Sequence, residues 1–321
     1  MKKTLCMAWS ILILGLGGAQ AVAQTEQAEA TCYLFAYFTG NGEDGLHLAW
    51  SSDGCKWEAL NGGKSTLKPE VGESKLMRDP CLLRGPDGTF HMVWTTAWEG
   101  KTIGYASSKD LVTWSPQKAI PVMQHEAGVR NCWAPEVVYN DKKQEFLIFW
   151  ASTVRGGFPG TAGSSESDYN HRIYCTTTKD FSTFTDSRLF YDPGFSVIDA
   201  TIVPDNGRFI LIVKDETVKP PKKHLRMAFG DSAEGPWTDL TPPFTPEGRW
   251  SEGPTAIRIG QEFLVYYDAY RDKHYAAASS RDLKTWEDVT SKMAFVPGMR
   301  HGTVVAVPGS LVARLREPGR P

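Results

Sequence analysis

"IGYASSKDLVTW" (103–114) and "HYAAASSRDLKTW" (274–286) are close copies of one pattern. Each is a short alternating strand, then a Ser/Asp turn, then an aromatic residue. Three more segments follow it: "LHLAWSSDGCKW" (46–57), "RIYCTTTKDFSTF" (172–184) and "LRMAFGDSAEGPW" (225–237). Asp53, Asp110, Asp180 and Asp282 each stand four positions before the aromatic, while the copy at 225–237 replaces this turn with "SAEGPW". The aromatics Trp57, Trp114, Phe184, Trp237 and Trp286 are 57, 70, 53 and 49 residues apart. A strand-rich repeat at that spacing reads as propeller blades with loops of uneven length, and the aromatics as packing between blades.

A strand pair precedes four of the copies. Its first members are "PCLLRG", "PEVVYN", "ATIVPD" and "PTAIRI", and its second members are "FHMVWT", "EFLIFW", "FILIVK" and "EFLVYY". Turn signals such as "GPDG", "NDKK" and "DNG" lie between them. The first copy has "YLFAYF" but no leading inner strand, and "HGTVVAV" at 301–307 is a strand without a blade. One ring solves both problems. The chain is expected to be all-β, a single five-bladed β-propeller over 31–310, closed when the C-terminal strand joins the N-terminal blade. Closure removes the open edges at the seam. Residues 24–30 are expected to be a flexible lead-in and 311–321 a tail. A two-domain β-sandwich leaves the repeat unexplained.

Composition narrows the function. A net charge of −2 gives no basic field for nucleic acid or anionic lipid. Eleven Trp, 11 Tyr and 15 Phe supply rings for stacking on sugars, although core packing is their commoner use. The start of the chain reads as a secretory signal over 1–23: Lys2 and Lys3, the apolar "LCMAWSILILGLGGA", and the small-residue site "AVA" at 21–23. The apolar stretch is too short and Gly-rich for a membrane span. Cys6 lies too early to be a lipid-attachment cysteine. The expectation is a periplasmic or secreted monomer with no membrane span. Five cysteines remain after such cleavage, an odd number that fits no metal spacing. Cys32 and Cys55 pair only if their strands are neighbours in the right geometry.

The first strand of each blade lines the channel of a propeller. Here those strands open with "RDP" (78–80), "WAPE" (133–136), "IDA" (198–200), "SEGP" (251–254) and "RHG" (300–302). Asp79, Glu136, Asp199, Glu252 and His301 are therefore expected to converge on one pocket at the axis. Crowded carboxylates raise one another's pKa and separate acid from base roles. Each residue also has a plainer reading: Asp79 as a turn cap before Pro80, Asp199 as an acceptor for backbone amides, Glu252 as a rim charge, His301 as a core histidine. Trp98, Trp133, Phe195, Trp250 and Tyr270 lie near the strand entrances and are candidates for a sugar platform. Arg78 and Arg300 are candidate partners of the carboxylates, Arg300 also of substrate.

The ordered set, one motif per blade, resembles glycoside hydrolase family 43 across roughly 31–310. The resemblance implies an inverting glycosidase acting on plant-type polysaccharide side chains or oligosaccharides. Asp79 would be the general base, Asp199 the pKa modulator and Glu252 the general acid. It also implies a role for His301 in holding a structural calcium ion in the channel through water, with no cofactor required for the chemistry. "WAPE" carries Glu where many relatives have Asp, so Glu136 is read as structural or water-binding. An α-L-arabinofuranosidase is the leading expectation. The alternatives are a β-xylosidase, a galactofuranosidase or galactanase, and an inactive glycan-binding propeller. A fructan-acting relative fits less well, because "RDP" here opens the first complete blade.

Overall fold

The computed structural model describes residues 29–317; the signal-like segment and most of the lead-in lie outside the described residues. Five sheets are arranged around an axis. From the axis outward, the second blade is Arg78–Arg84, Phe90–Thr95, Ile103–Ser108 and Lys118–Ile120. The third is Trp133–Asn140, Glu145–Ser152, Arg172–Thr178 and Arg188–Tyr191, and the fifth is Glu252–Ile259, Glu262–Ala269, His274–Ser280 and Glu287–Asp288. The first blade is completed by the chain's last strand. Arg300–Pro308 takes the innermost place beside Thr31–Phe38, His47–Ser51 and Glu58–Ala59, pairing antiparallel from Thr31↔Pro308 to Phe38↔Arg300. The five inner strands pack on one another around a closed ring.

The fourth blade has three strands: Val197–Asp205, Arg208–Asp215 and Leu225–Gly230. This is the copy with "SAEGPW". The following segment still runs alongside, donating from Thr238, Thr241 and Phe244 N–H to the carbonyls of Phe229, Met227 and Leu225. Pro242 and Pro243 interrupt it, having no N–H to give.

The repeat has a structural meaning. In the four standard turns the Asp carboxylate accepts the amides two and three residues on, as Asp110 does from Val112 and Thr113 at 2.9 and 2.7 Å. The aromatic that follows then packs between blades. Five apolar clusters fill the five junctions, and Trp57, Trp114, Phe184, Trp237 and Trp286 contribute one to each.

The boundary expected at 310 falls inside a short helix, Gly309–Leu315, whose Leu311 and Val312 are buried against the first and second blades. The lead-in is tied to it: Ala30 C=O accepts from Gly309 N–H and Glu29 Oε1 from Ser310 N–H. Cys32 and Cys55 stay unpaired, and no disulfide forms among the described residues. No helix among them is long and apolar enough to cross a membrane.

Candidate active site at one end of the channel

Each inner strand starts with an irregularity. The register slips between Arg78 and Cys81, Trp133 and Glu136, Ile198 and Thr201, and Glu252 and Thr255, and the first blade slips opposite Arg300–Thr303. With each motif counted from the residue at which the register slips (Arg78, Trp133, Ile198, Glu252 and Arg300), the second residue adopts positive φ in four of them: Asp79 at 51°, Ala134 at 45°, Asp199 at 51° and Gly253 at 58°. Asp tolerates this conformation better than most side chains. Gly253 is needed here, since a Cβ would lie 2.3 Å from the His301 ring. The bulge swings the second side chain out of the strand's alternation and toward the axis.

The result is a cavity of about 260 Å³ lined by Arg78, Asp79, Asp199, Glu252, Arg300 and His301, with Thr95, Trp98, Trp133, Ile198 and Tyr270 completing the wall. Three of the five expected axial residues, Asp79, Asp199 and His301, hold the second place of their motifs. Glu252 reaches the same cavity from the first place. Glu136 holds the fourth and is not in the cavity. It aligns with Cys81, Thr201, Thr255 and Thr303, which link neighbouring strands one layer deeper. Thr201 Oγ1 donates to Glu136 Oε2 at 2.9 Å, Thr303 Oγ1 to Pro80 C=O at 2.9 Å, and Val304 N–H to Thr255 Oγ1 at 3.1 Å. Burial pushes the Glu136 carboxyl up to about 7.

Asp79 accepts from Thr95 Oγ1 at 2.8 Å and faces His301 Nδ1 at 3.4 Å. Burial alone would raise its pKa. The His301 contact and charge, Arg78 and the Thr95 hydroxyl outweigh burial and hold it at about 2. His301 responds in kind: burial lowers it, but Asp79 and Asp199 draw it up to about 9. Asp199 Oδ2 accepts the Gly253 N–H at 2.9 Å, so the plainer reading of Asp199 describes a real bond. That bond also places Asp199 beside Glu252. Burial, then the charges of Glu252 and Asp79, lift Asp199 to about 6 against His301 and Lys214.

Glu252 is held by two cations. Lys214 Nζ donates to Oε2 at 3.0 Å and Arg300 Nη2 to Oε1 at 3.3 Å. Both cations are themselves fixed: Arg300 Nε on Asp268 at 3.1 Å, and buried Lys214 on Glu216. Glu216 and Glu252 keep Lys214 charged despite its burial. Sequence reasoning missed Thr95, Lys214 and Asp268, yet a signal exists. They end "FHMVWT" and "FILIVK" or closely follow "EFLVYY", and they are the cross-strand partners of Arg78, Ile198 and Glu252, the first motif residues. A polar group ending a blade's second strand thus lies beside the pocket.

The expected platform is partly assembled. Trp98 is 49% exposed, stands edge-on to Trp133 with centroids 5.6 Å apart, and carries the Arg78 guanidinium at 4.3 Å. Tyr270 lines the opposite wall. Two expectations are corrected. Phe195 packs on the cluster between the third and fourth blades, and Trp250 lies behind Tyr270, centroids 5.9 Å apart, under Arg271. Neither lines the cavity. As for calcium, no group of three His, Cys, Asp or Glu among the described residues is arranged to hold a metal directly, and the role that the resemblance implies for His301 runs through water. The residues fit an ion pair with Asp79 and do not form a direct metal-ligand set.

Comparison with known proteins gives three kinds of match. A family model described as "Probable glycosyl hydrolase domain", of the family-43-related group, matches residues 28–310. An alpha-L-arabinofuranosidase of Bifidobacterium longum is 21% identical over 281 residues, 74% of this chain and 26% of that protein, so the chain spans about a quarter of this relative's length. Among solved structures, a thermostable family-43 glycoside hydrolase superposes with a TM-score of 0.51 at 18% identity, over 69% of this chain and 73% of the other. An exo-beta-1,3-galactanase from Clostridium thermocellum gives 0.52 at 17% identity, over 71% and 50%. These structural likenesses speak for the fold.

Proposed function

Since the chain belongs to the family-43-related glycosyl hydrolases and is a glycoside hydrolase, we propose that it inverts the anomeric centre and removes α-L-arabinofuranosyl units from plant-type oligosaccharides or polysaccharide side chains. One observation carries the reading: Asp79, Asp199 and Glu252 come from three blades and meet in a single cavity. Inversion needs an acid and a base about 6.5–9.5 Å apart, with room for water between them. Asp79 and Glu252 belong to the second and fifth blades, which are not neighbours in the ring.

In this reading Asp79 stays ionised across the neutral range and takes the proton of the attacking water. Thr95 and His301 hold its two oxygens in place. Glu252 gives its proton to the leaving oxygen, with Lys214 and Arg300 fixing its orientation. Asp199 places the backbone at Gly253 and sets negative charge beside the acid. The sugar ring rests between Trp98, Trp133 and Tyr270. The choice of arabinose leans on the relative from Bifidobacterium longum. Xylosides, galactofuranosides and β-1,3-galactans are the alternatives that a substrate panel must include.

The test is a panel of aryl arabinofuranosides, xylosides and galactosides, with the first-formed anomer read by NMR. Inversion on the arabinofuranoside is expected. A product of retained configuration would overturn the roles of Asp79 and Glu252, and preference for another sugar would replace arabinose alone. Export rests on the signal-like segment at 1–23, and fractionation of the producing cells tests it.

A further inference from the structure

A second cavity opens beside the catalytic one and is the larger, about 590 Å³ against about 260 Å³. Strand directions put both on one face of the ring. Thr31–Phe38 and Glu262–Ala269 end on this face, and His274–Ser280 and Arg300–Pro308 begin there. The second cavity lies where the last blade meets the first. Met293, Phe295 and Val296 form an apolar wall, and Lys273, His274 and Thr290 supply polar groups.

One side chain joins the two spaces. Arg300 lines both cavities. Its Nη2 bonds Glu252 on the catalytic side, while its Nε bonds Asp268 and its Nη1 bonds Gly40 C=O at 3.3 Å. Asp268 and Gly40 belong to the wall of the second cavity. A single guanidinium thus stands between the Glu252 carboxyl and this space.

Position decides what would enter it. A general acid protonates the leaving oxygen, so the departing part of the substrate sits on the acid's side of the scissile bond. On the Asp79 side the pocket is walled by Arg78, Thr95 and Trp98. On the Glu252 side it is bounded by Arg300, and the second cavity begins on the other side of that guanidinium. We propose that this cavity is the leaving-group subsite, holding neutral sugar units of the oligosaccharide from which the terminal sugar is cut. The proposal rests on the glycosidase reading above. Sugar rings offer apolar C–H faces and hydroxyl edges, which an apolar wall with a polar rim matches, and the volume is that of an ordinary ligand pocket. The charges at its base are already paired, Arg300 with Asp268 and Glu252, which suits a neutral polyhydroxyl ligand.

Two variants test it. Val296→Trp fills the apolar wall, and the pair Lys273→Ala/His274→Ala strips exposed rim donors. Each is assayed on an arabinoxylo-oligosaccharide and on 4-nitrophenyl α-L-arabinofuranoside, whose aryl group carries no sugar hydroxyls. For the oligosaccharide, kcat/KM should fall about tenfold in both variants, while the aryl glycoside stays within about twofold. Equal losses on both substrates, or an unchanged ratio, would overturn the subsite. Melting curves show whether Val296→Trp folds; where it does not, the rim pair alone decides. A wild type that cleaves neither substrate defeats the arabinoside reading separately. Calorimetric titration of the same oligosaccharide then judges the cavity, with equal affinity for wild type and rim variant counting against it.

Discussion

The two ends of the central channel are built from the same five strands and have opposite chemistry. At the entrance end, Arg78, Asp79, Asp199, Glu252, Arg300 and His301 crowd a cavity of about 260 Å³. A few residues further along, the channel opens into about 350 Å³ lined largely by Leu82, Val137, Val138, Ile202, Val203 and Val304. The layer of Thr201, Thr255, Thr303 and Glu136, which ties strand to strand, forms part of the wall of this far space. The difference comes from the bulges. Past them each strand alternates regularly and offers the channel small or β-branched residues. At the bulge the alternation breaks, and side chains that a regular strand would turn elsewhere face the axis. The ring supplies convergence, the bulges supply charge, and beyond the linking layer the channel wall is mostly apolar.

The sharpest way to break this comparison is to remove the proposed proton carriers. Glu252→Gln should lower kcat on natural glycosides by about 10²–10⁴-fold, with much of the loss restored on aryl glycosides whose leaving groups need little protonation. Asp79→Asn should cost a similar factor on both substrate types. Steady-state kinetics of the two variants on both substrates checks the pair; equal rescue, or none for either, would mean that the acid and base roles are misassigned. Next in size is Lys214→Met. It leaves Glu216 and Glu252 without their shared buried cation, and breaking such a pair costs about 3–5 kcal/mol. Denaturant unfolding should show that loss, and kcat should fall as Glu252 loses its orientation. An unchanged midpoint would show that Lys214 is no part of the charge network.

The fold was legible because a propeller repeats itself. Five aromatics at blade spacing and one strand short at the N-terminus were enough to imply the ring and its closure. "SAEGPW" marked the fourth copy as lacking the standard turn, but neither it nor the prolines that cut that blade's last strand were read as a missing strand. The site was legible where it sits in the motif's first two places. It failed at Glu136, since "WAPE" looks like its neighbours in sequence while its carboxyl stands two places beyond the bulge. Lys214 and Asp268 were missed because strand-to-strand partners had not been paired. Phe195 and Trp250 were misplaced because a loop aromatic near a pocket in sequence carries no information about which way its ring turns.

Glu136 gives a smaller effect that separates the linking layer from the site. Its folded pKa is raised from 4.5 to about 7. Between those values the folded state holds the proton more tightly than the unfolded chain, so stability falls as pH rises through this window. Asp199 and Asp268, each raised to about 6, add slopes of the same sign from 3.8 upward. Glu136→Gln should therefore flatten the decline in melting temperature between about pH 4.5 and 7 while leaving kcat/KM within about twofold. A large loss of activity in a stable variant would move Glu136 from the linking layer into the catalytic set.

The smallest expected effect concerns Asp199, and it decides whether a residue that visibly bonds backbone also tunes chemistry. Its Oδ2 accepts the Gly253 N–H, a bond that Asn can keep through its carbonyl oxygen. What Asn removes is a negative charge beside Glu252. Each carboxylate disfavours ionisation of the other, as the upward pull of Glu252 on Asp199 shows. With the charge gone, the alkaline limb of the pH–rate profile, which reports the general acid, should move to lower pH. The acidic limb should shift less. Asp79 sits on a different blade and is held mainly by His301, Arg78 and Thr95 against burial. A purely structural Asp199 predicts the reverse pattern, a lower melting temperature with both limbs in place. Measuring both limbs and the melting curve on the one variant distinguishes them, and a stable Asp199→Asn enzyme with an unmoved alkaline limb would leave Asp199 as a backbone anchor and nothing more.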